Sequence, residues 1–382
     1  MQSHSKKNIY PDDIISLRHI IHQDPSLSGH EEKTVNHLVD WFSSFNASIT
    51  PICESRGLLV TFDHGISGKS IVLRAETDAL PIMTTSNKTW ASKTIGVSHA
   101  CGHDGHAATL ASLAAFLEET VFPGKVTLLF QPDEERGLGA ARVLKEEAFK
   151  QLKPDLIFGF HNLPGYPLGT FVVKDKVFTA ASCGVKIKLS GETAHASTPY
   201  TGVSPTHAVM ELIRSIPEMS QTENQDDFRL ITLTHAKIGE ETWGIAPGEA
   251  TLCFTVRTFS TQELSQLINE IMDKSKTIAS KHHLGINTSE HEYFKATYNH
   301  IEPYSQLIHC LKSNGFDYMM KKEPFPWSED FGNYTELIEG SFFGIGAGLD
   351  HPALHAPDYD YPDETIGIMH RFFQALLKQY WS

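Results

Sequence analysis

Cysteine is scarce in this chain of 382 residues: Cys53, Cys101, Cys183, Cys253 and Cys310 make five, widely scattered and odd in number. That spacing argues against a disulfide framework, and the lack of any C-x-x-C pair argues against a zinc ribbon. Long apolar runs are missing as well. No uncharged stretch approaches the roughly 18 residues that a membrane-spanning helix needs, so no membrane association is expected. The N-terminal stretch "MQSHSKKNIYPDD" has no apolar core of the kind a secretory signal requires. Positive charge is in deficit: 32 Lys and Arg stand against 46 Asp and Glu, a formal net charge of −14. A nucleic-acid partner is therefore not expected, because neutralising phosphates takes a basic surface. These absences leave a soluble cytoplasmic protein as the expectation.

What the chain does have is apolar mass and histidine. At 40% hydrophobic and 20% charged it is an ordinary globular sequence. Its length exceeds what one core holds, about 250–300 residues, so more than one domain is expected. Histidine, at 21 residues, is over-represented and directs attention to metal sites.

Along the chain, the stretch from Asp12 to about His22 and the run after "SGHEEKT" repeat apolar residues at helical spacing, with Ser28 a candidate cap for the second helix. Short apolar strands then alternate with helices: "SIVLRA" (70–75), a helix over 105–119, "KVTLLFQ" (125–131), a helix over 139–149, and "DLIFGFH" (155–161). That alternation predicts an α/β fold, a mostly parallel central sheet flanked by helices. The style changes near residue 182. "CGVKIKLSG" alternates apolar and polar, and a helix (203–216), two strands (228–238, 249–259) and a helix (261–282) follow. This β-α-β-β-α unit predicts an inserted α+β, ferredoxin-like domain over 182–294, with 1–181 and 295–382 forming the α/β domain around it. A helix (303–314), the strand "SFFGIGAG" (341–348) and a closing helix (364–380) return to the first style.

Ligands bind open parallel sheets beyond the carboxyl ends of the strands. Here those ends carry metal-type residues. "SIVLRA" runs into Glu76 and Asp78, "KVTLLFQ" into Asp133, Glu134 and Glu135, and "DLIFGF" into His161. "SHACGHDGH" (98–106) precedes a helix, and "SFFGIGAG" leads to His351 and His355. Each piece alone has an ordinary explanation: a solvated histidine, a small buried thiol, a charged turn. Their convergence on one rim does not. Glu134 and Glu135 are adjacent in an extended turn, where neighbouring side chains diverge. One carboxylate could hold a metal while the other handles a proton. Thiol, imidazole and carboxylate together suit Zn²⁺, Mn²⁺, Co²⁺ or Ni²⁺ rather than Ca²⁺ or Mg²⁺. A metal there would lower the pKa of water to about 7 and polarise a carbonyl.

The motifs "RAETDALPI", "SHACGHDGHAA", "FQPDEE", "FGFHNLP", "SGETAHASTP", "WSEDF" and "LHAPDYDYPDE", in this order, resemble the metallo-amidohydrolases of peptidase family twenty, in the hippuricase, aminoacylase and indole-acetyl-amino-acid hydrolase branch. The resemblance covers nearly the whole chain. It implies a zinc-exopeptidase-like catalytic domain with a lid that serves as a dimerisation domain, and hydrolysis of the amide bond in N-acyl amino acids or similar small conjugates. It implies two divalent metal ions per subunit on Cys101, His103, Glu135, His161 and His355, with Cys101 in the bridging place. Glu134 would be the general base and acid, Asp78 an orienting carboxylate, and His195 of the lid an oxyanion stabiliser, often for a partner subunit. The chain departs from the family pattern at Glu76, usually Asp, at Gly244 in "GIAP", usually Asn, and at Trp327 in "WSEDF", often Gly. Arg257 could pair with a substrate carboxylate or equally with a structural one. The same site could serve a dipeptidase or carboxypeptidase. Two further readings are a cysteine hydrolase, with Cys101 as nucleophile and His103 or His106 as base, and a metal-storage protein without turnover.

Overall fold

In the computed structural model, residues 11–222 and 228–381 are described. The start of the N-terminal stretch read above for a secretory signal therefore lies outside the described residues. They fall into two compact units. The larger runs up to Phe178 and takes in Tyr298–Lys322 and the residues from Asp330 on; the smaller is Thr179–Thr297 with Glu323–Glu329.

The larger unit opens with α1 (Pro11–Gln23) and α2 (Glu32–Phe42), followed by β1 (Ser48–Ile52), β2 (Gly57–Asp63) and β3 (Ser70–Glu76). Then come α3 (His103–Ala111), α4 (Ala114–Glu119), β4 (Lys125–Gln131), α5 (Gly139–Val143), α6 (Glu147–Leu152), β5 (Leu156–Pro164) and β6 (Phe171–Val173). The strands Tyr318–Met320 and Glu339–Gly348 complete an eight-stranded sheet. Its centre is parallel: β4, β3, β5 and Glu339–Gly348 lie side by side in that order. β1 and β2 extend it as an antiparallel edge.

Every residue of β3 is buried, as expected for a central strand covered on both faces. One covering layer packs Leu17 and Ile21 of α1, Val35, Leu38 and Phe42 of α2, and Phe372, Phe373 and Leu376 of the closing helix Glu364–Trp381 onto Val60, Leu73, Phe158, Phe160 and Phe343. The predicted helix over 105–119 is interrupted as α3 and α4, and that over 139–149 as α5 and α6. α3 starts at His103, so this histidine lies in its first turn. Ser28 does not cap α2. The helix begins after Glu31, and the Ser28 hydroxyl instead donates to Asp78 Oδ2 at 2.8 Å.

The smaller unit is a four-stranded antiparallel sheet in the order Arg229–Ile238, Glu249–Thr258, Ala181–Ser190, Gly285–Phe294. The helices Thr206–Ser215 and Thr261–Lys281 cover its apolar side, where Val185, Ile187, Leu252 and Phe254 meet Leu212, Leu264, Leu267 and Ile271. The strand Gly285–Phe294 is absent from the sequence reading. Its residues "GINTSEHEYF" include no fully buried position, so the apolar alternation that marks its neighbours is weak there.

α3 is buried on every side, which small residues permit. A Cβ at Gly105 would lie 2.1–2.4 Å from ring atoms of Tyr361. Gly105→Ala is therefore expected to destabilise the protein by about 1–3 kcal/mol through overpacking. A fall in the urea midpoint at unchanged m-value would show it; an unchanged midpoint would refute this account of the close approach.

Candidate metal centre

The carboxyl ends of the parallel strands place the chemistry. β3 leads through Thr77 to Asp78, β4 through Pro132 to the turn Glu134–Gly137, and β5 carries His161. Glu339–Gly348 leads to His355, whose N–H donates to the Ala100 carbonyl at 2.7 Å and so ties this segment to the loop before α3.

Cys101, His103 and His161 come together as one cluster, Cys101, Glu135 and His355 as a second, and His103, Glu134 and Glu135 as a third. Cys101 Sγ is 3.4 Å from His161 Nε2. Glu135 Oε1 is 4.0 Å from His103 Nε2 and 3.6 Å from His355 Nε2. All five residues that the resemblance nominates as ligands are thus brought to one place, with Glu134 beside them. His355 is half exposed and adopts a left-handed backbone with φ of +66°.

Supporting bonds aim these side chains. His103 Nδ1 is bonded to the Asp78 carbonyl (2.9 Å) and lies 3.2 Å from Asp78 Oδ1, which turns Nε2 toward Glu135. His161 Nδ1 donates to the Asn162 carbonyl at 2.8 Å, leaving Nε2 toward Cys101. A partner on the far nitrogen is what metal-binding histidines ordinarily have. His103 Nε2 and Glu135 Oε1 are buried atoms without a hydrogen-bond partner among the described residues, a condition that a cation between them would relieve.

The electrostatics point the same way. Burial, then the carboxylates of Glu135 and Glu134, push the Cys101 thiol well above its ordinary value. Burial, with neighbouring His106, holds His161 well below its usual range, so its imidazole is neutral. Burial also opposes charge on His103, but the Asp78 bond and the carboxylates of Glu76 and Glu135 prevail and raise it to about 10. The donor set fits divalent metal.

These surroundings disfavour the cysteine-hydrolase reading. Cys101 is buried, and its surroundings push the thiol up, whereas a nucleophilic thiol needs a lowered pKa and an adjacent base. His106 has both ring nitrogens engaged, Nδ1 by Glu76 Oε2 (2.7 Å) and Nε2 by the Asn162 N–H (3.2 Å).

Behind the ligands lie residues that the sequence reading left without roles. Arg74 Nε donates to Gln131 Oε1 (2.8 Å) and Nη2 to Asp330 Oδ1 (2.6 Å), and Nη1 pairs with Glu76. Glu76, with one methylene more than the usual aspartate, spans from Arg74 to His106. Arg18 binds Asp104 (3.0 Å), Asp360 (2.8 Å) and Asp363 (2.5 Å), locking α1 to α3 and to the segment after His355. A charged residue inside an apolar strand or helix was the available signal: it has to find partners when buried.

In the smaller unit, His195 is exposed and its Nδ1 lies 2.7 Å from Ser197 Oγ. Gly244 accepts the Ala196 N–H through its carbonyl at 3.0 Å. Trp327 packs against Phe325 with ring centroids 5.1 Å apart. Arg257 donates to the Pro326 carbonyl (3.1 Å) and Ser328 Oγ (2.9 Å), and no carboxylate pairs with it among the described residues.

The family described as Peptidase family M20/M25/M40 matches residues 72–379. Over 363 residues the chain is 31% identical to a Bacillus subtilis protein named N-acetyl-L-cysteine deacetylase, covering 94% of this chain and 86% of that one. It is 27% identical over 362 residues to the putative amidohydrolase YhaA of the same organism, covering 93% and 91%. Among solved structures it resembles the Bacillus subtilis YXEP protein, titled a dinuclear metal binding peptidase from M20 family, at 26% identity with a TM-score of 0.81, covering 96% and 97%. A putative aminohydrolase from methicillin-resistant Staphylococcus aureus shares the fold at a TM-score of 0.88 and 24% identity, each chain covered to 97%.

Asp360 anchors the segment after His355, accepting from Arg18 (2.8 Å), Lys88 (2.6 Å) and Trp90 Nε1 (3.1 Å). Burial works to raise its carboxyl, but Arg18 and Lys88 outweigh it and hold it below the ordinary value of 3.8. A carboxyl depressed by folding stabilises the protein above the unfolded value and loses that contribution as pH falls through the folded one. Asp360→Asn is expected to cost about 1.5–3 kcal/mol at pH 7 and to flatten the acid limb of the stability curve below pH about 4. Parallel wild-type and variant curves through that limb would refute the assignment.

Proposed function

The chain belongs to peptidase family M20/M25/M40, and from that premise we propose that its metal-dependent amide hydrolysis is directed at N-acyl amino acids or similar small conjugates. The observation that carries the reading is the turn after β4. It delivers two adjacent carboxylates, Glu134 and Glu135, into a cluster with Cys101, His103 and His355. A storage site needs only ligands; a second carboxylate beside them is what proton transfer requires. The deacetylase name of the 31% identical relative supports an acyl amino acid as substrate.

In this reading Cys101, His103, Glu135, His161 and His355 are the residues that would hold two divalent ions. Zn²⁺, Mn²⁺, Co²⁺ and Ni²⁺ all suit a thiolate, imidazole and carboxylate set. Bound ions supply Lewis acidity, lowering the pKa of water to about 7 and polarising a carbonyl. Glu134 accepts the proton of the attacking water on its carboxylate and returns it to the leaving amine nitrogen. Asp78 fixes the tautomer and direction of His103 through Nδ1, and the Asn162 carbonyl does so for His161. His195 is assigned oxyanion stabilisation on the resemblance alone. The protein works in the cytoplasm, which its five free cysteines support. It pairs as a homodimer through the smaller unit, which the exposed Tyr200, Trp243 and Ile245 support. Among the described residues no helix is long and apolar enough to cross a membrane.

Purified protein supplied with Mn²⁺ or Zn²⁺ is expected to release free amine from a panel of N-acyl amino acids, and a chelator to stop it. Glu134→Gln is expected to cut kcat by about 10²–10⁴-fold at unchanged metal content. Full activity in that variant would sink the mechanism. Free-amino dipeptides outcompeting acylated amino acids would move the substrate to a dipeptidase or carboxypeptidase on the same site.

A further inference from the structure

Glu31 lies outside every strand end that builds the centre, yet its side chain is fully buried. It stands at the entry to α2 but does not serve that helix, since its side chain makes no cap hydrogen bond there. One oxygen, Oε1, instead accepts two backbone N–H groups, from Gly29 at 2.6 Å and from Asp133 at 2.9 Å. Asp133 is where the chain leaves β4 and swings into the turn that carries Glu134 and Glu135. It does so in a left-handed conformation, φ +64°, which a non-glycine residue keeps only when its surroundings impose it. Two arginines hold the Asp133 carboxylate, Arg136 Nε and Arg142 Nη1, each at 2.5 Å. Its carbonyl accepts from Leu138 and Gly139 at 3.2 and 3.0 Å. The Glu135 N–H, two residues on, donates to Asp78 Oδ2 at 3.0 Å. The N–H groups of Asp133 and Glu135 are therefore each taken by a carboxylate from a distant part of the chain.

We propose that Glu31 is a positioning residue that sets the direction of Glu134 and Glu135 by holding the Asp133 N–H. It touches neither substrate nor metal and acts through one backbone bond. Asp78 is shared between the turn and His103, whereas Glu31 spends its bonded oxygen on backbone alone. That makes it the place where the turn can be perturbed without touching His103. The proposal rests on the reading of Glu134 as base and Glu135 as ligand.

The test uses full-length Glu31→Ala, Glu31→Gln and Glu31→Asp with two readouts besides activity. The first is hydrogen exchange, by mass spectrometry, of a peptide covering residues 132–138 in metal-free protein. The second is Mn²⁺ binding by calorimetry. Glu31→Ala is expected to speed exchange in that peptide at least tenfold, while peptides from β3 and β5 stay as in wild type. It is also expected to weaken Mn²⁺ binding by about 10–100-fold and to lower kcat with KM little changed. Glu31→Gln keeps an acceptor oxygen at the same reach and is expected to restore most of each. A folded Glu31→Ala with wild-type exchange in the turn and wild-type Mn²⁺ affinity would overturn the proposal. Should Glu31→Ala not fold, Glu31→Asp draws the carboxylate back by one methylene and reads the same two quantities, and wild-type values there overturn it equally. If exchange and Mn²⁺ affinity respond but wild-type protein cleaves no N-acyl amino acid, the substrate assignment fails while the positioning role of Glu31 stands.

Discussion

Asp78 is the point through which the centre is tied together. One oxygen of its carboxylate faces His103 Nδ1, the other accepts from Ser28 Oγ and the Glu135 N–H, and its backbone carbonyl also meets His103 Nδ1. Three chain segments, the approach to α2, the start of α3 and the turn after β4, converge on this buried group. Burial by itself would push such a carboxyl toward its neutral form. The His103 bond and charge, the Glu135 N–H and the Ser28 hydroxyl instead hold it below the ordinary range, so it stays an acceptor. An acceptor with several donors leaves little freedom to any of them, and that is how the His103 ring and the Glu135 backbone are kept in one geometry.

Two buried arginines do for the scaffold what Asp78 does for the ligands. Arg74 sits inside a central strand and reaches Glu76, Gln131 and Asp330, linking the ends of β3 and β4 to a distant loop. Arg18 in α1 binds three aspartates, one on α3 and two in the segment after His355. Buried ion pairs contribute little net stability, because desolvation cancels much of the attraction. What they impose is geometry: a guanidinium without water around it accepts few arrangements of its carboxylates. The segments they hold are the ones that deliver Glu76, Asp78, His103 and His355.

Much of this was legible in the sequence. Apolar runs at 70–75, 125–131 and 155–161 have the length and composition of central strands, and each is one. Helical spacing at 12–22 and 261–282 likewise matches α1 and the long helix Thr261–Lys281. Where the pattern was weak, the reading failed for local reasons. The strand Gly285–Phe294 lies at a sheet edge with much of its surface in solvent, so no alternation marked it. Ser28 had the chemistry of a cap, but the helix begins only after Glu31, three residues on, and the Ser28 hydroxyl donates to a buried carboxylate 50 residues away.

The sequence by itself determined which groups are available and which ends of the sheet they occupy. Hydrophobic period follows from side chains a few residues apart, and ligand-type residues at the carboxyl ends of parallel strands share one rim. Which nitrogen of His103 faces inward, that Glu76 serves Arg74 and His106, and that Glu31 holds Asp133 were decided only by tertiary structure. Those outcomes depend on buried polar atoms finding partners along the chain, 25 residues apart for His103–Asp78, 30 for His106–Glu76 and 102 for Glu31–Asp133. The partner that each one finds is set by packing, because a buried donor or acceptor takes whatever the closed fold brings within about 3 Å.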